Sequence, residues 1–193
     1  MAVQIETDQG IVRVPTGTWT VDQAHSSVEF RVKHMMISTV RGHFGEFEGT
    51  VEAAPDYHDS KVRGTVTAAS IDTNEPRRDA HLRSADFFDV ENHPTISFES
   101  TAIDHVGRGD YRVTGNLTMH GETRSITLDA TLHGVMHDPQ GQDRVGLELR
   151  GTLSRSEFGL RWQQMLETGG VMVADEIRIA ADISATCTRG DDA

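Results

Sequence analysis

Residues 177–185 read Ile-Arg-Ile-Ala-Ala-Asp-Ile-Ser-Ala. Ile177, Ile179, Ala181, Ile183 and Ala185 occupy every second position, with Arg178, Ala180, Asp182 and Ser184 between them. In an extended chain successive side chains point to opposite faces, so this stretch presents one apolar and one mostly polar face. The alternation recurs upstream. Val28, Phe30 and Val32 alternate with Glu29, Arg31 and Lys33, and Val62, Gly64, Val66 and Ala68 alternate with Lys61, Arg63, Thr65 and Thr67. Further runs carry Ile96 and Phe98, then Val113, Leu117 and Met119, then Ile126, Leu128, Ala130 and Leu132, then Leu147, Leu149, Gly151 and Leu153. With Val40 to Ala53 and a lead-in around Trp19, the pattern predicts about eight strands.

Turn residues separate the runs. Gly107-Arg108-Gly109-Asp110, His120-Gly121-Glu122 and Asp138-Pro139-Gln140-Gly141 are short links of the hairpin kind, so neighbouring strands should be antiparallel. Several runs span about 10 to 14 residues, longer than the usual ~5–6. Long strands joined by tight turns favour an all-β, extended eight-stranded antiparallel barrel of the lipocalin kind, wide enough to enclose a ligand. Small residues on the inner face (Gly64, Ala68, Gly115, Ala130, Gly151, Ala181) either leave space there or fit the sheet's curvature.

Two segments interrupt the alternation. Glu75 to Asp89 carries Pro76 near its start and the adjacent pair Phe87-Phe88, which suits a short helical cap seated on the barrel. Gly159 to Gly170 places Trp162, Met165 and Leu166 at helical spacing. The expected organisation is an N-terminal extension over 1–16, a barrel over 17–188 and a tail over 189–193.

A formal net charge of −12, spread along the chain, disfavours nucleic acid and anionic membrane surfaces as partners. No apolar run approaches the ~20 residues of a membrane-spanning helix, so no membrane insertion is expected. Glu6 and Asp8 stand where an export signal would be basic, which points to the cytoplasm. The single cysteine, Cys187, fits a reducing compartment and reads as inert packing.

Ten histidines raise the question of a metal. His133 and His137 would share a strand face ~13 Å apart, and no metal-ligand motif is present, so no metal or other cofactor is expected. Among polar clusters, Asp79 and Arg83 have the spacing of a helical ion pair. In the alternative reading, Arg83 or His81 reaches a ligand head group at the barrel mouth. No nucleophile stands beside a base. A binding protein is therefore preferred to an enzyme acting on an apolar substrate inside the barrel.

Four ordered stretches carry a resemblance: DQAHSSVEFRVKH (Asp22 to His34), RDAHLRSADFFDVENHPTISFES (Arg78 to Ser100), GNLTMHGETRSITL (Gly115 to Leu128) and SRSEFGLRW (Ser154 to Trp162). Together they are similar to the YceI-like family of lipocalin-like polyisoprenoid-binding proteins. The chain departs from that family's pattern at His93, where a tyrosine is frequent, and at Ser125, where a proline is. Many members also carry a signal peptide. The resemblance implies a tunnel for a polyprenyl chain, such as a polyisoprenoid or an isoprenoid quinone tail, held for transport, storage or sequestration, and a possible homodimer. The candidate ligand-contacting residues are Phe30, Val32, Phe44, Val66, Arg83, Phe88, Ile96, Phe98, Val113, Leu117, Leu128, Trp162, Ile179 and Ile183. A tail burying about ten carbons gains about 8 kcal/mol at ~0.8 kcal/mol per CH₂, before ordering costs.

Overall fold

Strands predominate wherever the alternation was read. The computed structural model describes residues 6–8, 11–139, 141–165 and 170–187. In the expected extension, β1 (Glu6–Asp8) and β2 (Ile11–Arg13) form a small antiparallel sheet of their own. The wall begins with β3 (Gly17–Val21) and β4 (Ser27–His34), interrupted by a 3-10 turn at Gln23–His25. It continues through β5 (Ser38–Phe44) and β6 (Phe47–Ala53), then β7 (Lys61–Thr67) and β8 (Ile71–Asp72), which flank a 3-10 turn at Ala68–Ser70. After the helix α1 (Pro76–Arg83) come five long strands: β9 (Thr95–Gly107), β10 (Asp110–Met119), β11 (Glu122–His137), β12 (Asp143–Ser154) and β13 (Val173–Cys187).

Pairing is antiparallel throughout, and the sheet closes. β13 pairs with β12 on one edge; its other edge pairs with β4 at Ile177↔Val32 and with β3 at Ala185↔Val21. Because β4 pairs with β5 while β3 pairs with β6, the interrupted segments act as single bent strands. Counted so, eight antiparallel strands form a closed barrel. Closure removes the free edges that an open sheet would expose.

Two apolar clusters mark the barrel's ends. Trp19, Val51, Leu132, Val145 and Ala185 meet at one, where the buried Trp19 indole donates from Nε1 to Pro15 O (2.8 Å). Leu117, Met119, Phe158 and Leu160 meet at the other. We call these the tryptophan end and the cap end.

The cap forms as its residues dictate. Glu75 accepts from the N–H groups of Arg77 (3.2 Å) and Arg78 (2.6 Å), and Pro76 opens the helix where no N–H is required. The expected Asp79–Arg83 ion pair is not formed. Asp79 is buried and accepts from Thr73 N (2.9 Å) and Thr73 Oγ1 (2.5 Å). Arg83 donates to Ala69 O (2.7 Å) and Ile71 O (2.6 Å). Arg83 ties the helix to the β7–β8 bend and Asp79 ties it to the residue just after β8, because carbonyls and N–H groups released from the sheet there need partners.

The helical spacing over Gly159 to Gly170 is not realised in the described part. Arg155–Phe158 makes a 3-10 turn that ends at Gly159 in the left-handed conformation (φ 76°). Leu160 to Gln164 carry no helix, and Met165 bridges Val171. Arg155 explains this: its guanidinium donates to Leu160 O (2.6 Å) and Trp162 O (2.9 Å), using carbonyls that a helix would have needed. Leu166 lies outside the described residues.

Candidate functional site

The inner faces of the strands do not meet. Between them lies a cavity of about 350 Å³ extending from the tryptophan end toward the cap. An apolar cavity of ~150 Å³ is enough to stay dry and bind benzene, and small-molecule sites span ~300–1,000 Å³. Twelve of the candidate residues border it: Phe30, Val32, Phe44, Val66, Phe88, Ile96, Phe98, Val113, Leu117, Leu128, Ile179 and Ile183. Strand periodicity places eleven of them there, on the faces that the alternation turns inward, while Phe88 reaches the cavity from the turn after α1.

Arg83 and Trp162 lie elsewhere. Arg83's donors go to the β7–β8 bend, as described, and it does not border the cavity. Trp162 stands behind Phe87, the two rings 5.3 Å apart, and is packed edge-on by His81 at 4.9 Å. Phe87 and Leu160 take the wall positions instead.

The glycines of the wall do more than leave room. A Cβ on Gly115 would come within 2.5 Å of Phe98 Cζ and of Glu99 O, so glycine is what lets the Phe98 ring lie against the wall. The space is thus partly occupied by aromatic rings, and the open cavity is what remains.

The two ends differ in chemistry. At the tryptophan end, Tyr57 and Tyr111 border the cavity with their rings 5.9 Å apart. Burial pushes the Tyr111 phenol above its ordinary pKa, and the charge of Arg13 opposes the shift. Arg13 lies over the Tyr57 ring at 5.8 Å and donates to Pro55 O (3.1 Å). At the cap end, Leu82, Phe87 and Phe88 close over the cavity, with Phe88 edge-on to Phe44 at 6.0 Å. Arg155 borders it there while only 5% exposed. Besides Leu160 and Trp162 it donates to Ala174 O (3.0 Å) and Val173 O (3.3 Å). Burial pulls its pKa below the usual guanidinium value, and the carboxylate of Asp175 resists the change. The sequence reading passed over Arg155, whose carbonyl partners lie up to 19 residues away and leave no local signal.

Among the described residues no histidine borders the cavity. Several pair with carboxylates: His25 with Asp22 (2.7 Å), His81 with Asp86 (2.8 Å) and His137 with Asp143 (3.0 Å). One group of three potential metal ligands occurs among the described residues, Asp89, His93 and His120. No helix among them is long and apolar enough to cross a membrane.

A closed antiparallel barrel around an apolar cavity, capped by one short helix, places the molecule in the lipocalin-like class of β-barrels. Within that class the chain belongs to the family of the YceI-like domain, whose model matches residues 19–185. A UPF0312 protein of Staphylococcus aureus (strain bovine RF122 / ET3-1) is 37% identical over 165 residues, covering 84% of this chain and 94% of the relative. The crystal structure of Burkholderia cenocepacia BcnA is similar with a TM-score of 0.74 at 26% identity, over 87% of this chain and 99% of that one. A polyisoprenoid binding domain from Saccharophagus degradans, implicated in plant cell wall breakdown, shares the fold with a TM-score of 0.67 at 12% identity, over 88% and 98% of the two chains.

Proposed function

We propose that this protein binds a long-chain apolar lipid inside the barrel and acts by carrying, storing or sequestering it. The observation that carries this reading is the cavity of about 350 Å³ inside the barrel, with apolar side chains on its wall. Burying hydrocarbon there gains ~0.8 kcal/mol per CH₂ and asks for no hydrogen bonds along the chain. The fold shared with a polyisoprenoid binding domain supports a polyisoprenoid or an isoprenoid quinone tail as the occupant. The tyrosines at one end and the phenylalanines at the other suggest an order: the tail's tip lies under the cap, and a more polar head lies near Tyr57 and Tyr111. The reading extends to a cytoplasmic site of action, which cell fractionation tests.

Displacement of a fluorescent fatty probe by a polyprenyl alcohol tests binding. The wild-type chain should release the probe on titration. Ile179→Trp, which fills the cavity from its wall, should weaken probe binding about tenfold or more, since a filled cavity has no room for the tail. Probe bound equally well by both proteins would place it on the outer surface and contradict the reading.

A further inference from the structure

The link between β10 and β11 is two residues long, His120-Gly121, and both stand at positive φ, 53° and 76°. That backbone is a type I′ hairpin turn, whose first position favours Asn, Asp or Gly. Here it holds an imidazole. Facing it, the segment after α1 turns at Asp89, also at positive φ (48°), and His93 N donates back to Asp89 O (2.8 Å). The potential ligand atoms of Asp89, His93 and His120 all lie within 4.8 Å of one another, on half-buried side chains.

We infer that Asp89, His93 and His120 form a site for one divalent transition-metal ion of the zinc type. The surroundings already fix which atoms are presented. His120 Nδ1 lies 3.2 Å from Phe158 O. A carbonyl only accepts, so Nδ1 carries the proton and Nε2 keeps its lone pair for the ion. Asp89 Oδ2 accepts from Asn92 Nδ2 (2.9 Å), which holds the carboxylate and leaves Oδ1 available. The His93 ring lies over Gly121, where a Cβ would come within 2.9 Å of Cε1, so this turn glycine makes room for the ring.

Two imidazoles and a carboxylate match the ligand preference of zinc and leave a coordination position for water. Metal–ligand bonds of ~2.0–2.2 Å set tetrahedral ligands about 3.4 Å apart. Binding therefore draws the three side chains together by small rotations. No spacing rule links His93 to His120, which lie on different elements, so the reading of the chain alone, which expected no metal, had no signal for this site.

The position gives the ion a task. Asp89 follows Phe88 and His120 follows Met119, and both of these apolar side chains border the cavity. An ion held there joins the cap segment to the β10–β11 hairpin at the cap end of the barrel.

The test uses the full chain, stripped with a chelator and titrated with zinc(II) against a chromophoric zinc indicator. The expected result is one ion per chain, bound about a hundredfold or more weaker by His93→Ala and by His120→Asn. Asparagine suits the type I′ turn, so His120→Asn removes the imidazole without loosening the hairpin. Cobalt(II) in place of zinc should give visible absorption that these variants lose, and His133→Ala should leave both readings unchanged. No saturable site at one ion per chain, or a site of full affinity surviving in both His93→Ala and His120→Asn, would overturn the assignment.

Discussion

The barrel wall and the cap end hold themselves together by different means. The wall is continuous sheet: its backbone groups satisfy one another in the ladder, and its inner side chains are apolar and border open space. The cap end is irregular chain, whose released carbonyls and N–H groups are collected by a few buried charged side chains, Arg155 and Asp79 foremost. A wall residue gives up part of its packing to the cavity, whereas a cap anchor serves several partners at once. Single substitutions should therefore weigh more at the cap than on the wall.

The steepest test is Arg155→Ala, which strands three carbonyl acceptors, those of Leu160, Trp162 and Ala174, while Val173 O keeps the Gln163 Nε2 donor (2.8 Å). Unsatisfied buried acceptors cost ~1–3 kcal/mol each where water cannot reach them, and partial solvation brings the expected total to about 4 kcal/mol. Lysine offers a point charge in place of a planar fork and should rescue little of this. Denaturant midpoints measure both. A loss under about 1 kcal/mol would break the comparison by showing that the cap carbonyls find other partners.

Phe87→Ala comes next, at about 3 kcal/mol, because the ring is buried between the cavity and Trp162. On the wall, Leu128→Ala should cost about 2 kcal/mol, near the bottom of the range for such truncations. Its side chain already borders open space and has fewer contacts to lose. Thermal or denaturant melts of the pair sharpen the contrast. Leu128→Ala costing as much as Phe87→Ala would mean that the wall is packed as tightly as an ordinary core.

The smallest effect concerns pH. Asp22, beside the break between β3 and β4, accepts from Arg144 Nη1 (2.7 Å) and pairs with His25, and these contacts lower its pKa to about 2. A carboxylate depressed on folding contributes stability that is present above its unfolded value and is lost as pH falls through the folded one. The Asp22 contribution should therefore be complete above pH ~4 and fade toward pH ~2. Arg144→Ala should flatten that part of the profile, read as melting temperature against pH. An unchanged slope would show that the pair is held without energetic consequence, as exposed ion pairs frequently are.

The same division decides how much could be read from sequence. Period-two runs located the wall strands and turned Phe30, Val113, Leu128 and Ile179 inward, because strand geometry ties facing to parity. The short helix after Pro76 was legible from its start signals. What escaped was held by contacts between distant segments: the carbonyls gathered by Arg155, the grip of Arg83 on the β7–β8 bend in place of Asp79, and the meeting of His93 with His120. Trp162 was misplaced for a related reason, since its helical spacing was real in the sequence but the chain there is pulled straight by Arg155.

The central claim is that the cavity holds a lipid, and the most direct measurement is made on protein purified from its native host. Organic extraction followed by mass spectrometry should release a long-chain apolar molecule in near-stoichiometric amount, and in much smaller amount from Ile179→Trp. An extract free of any such molecule, from a chain that also fails to displace the fatty probe, would contradict the account.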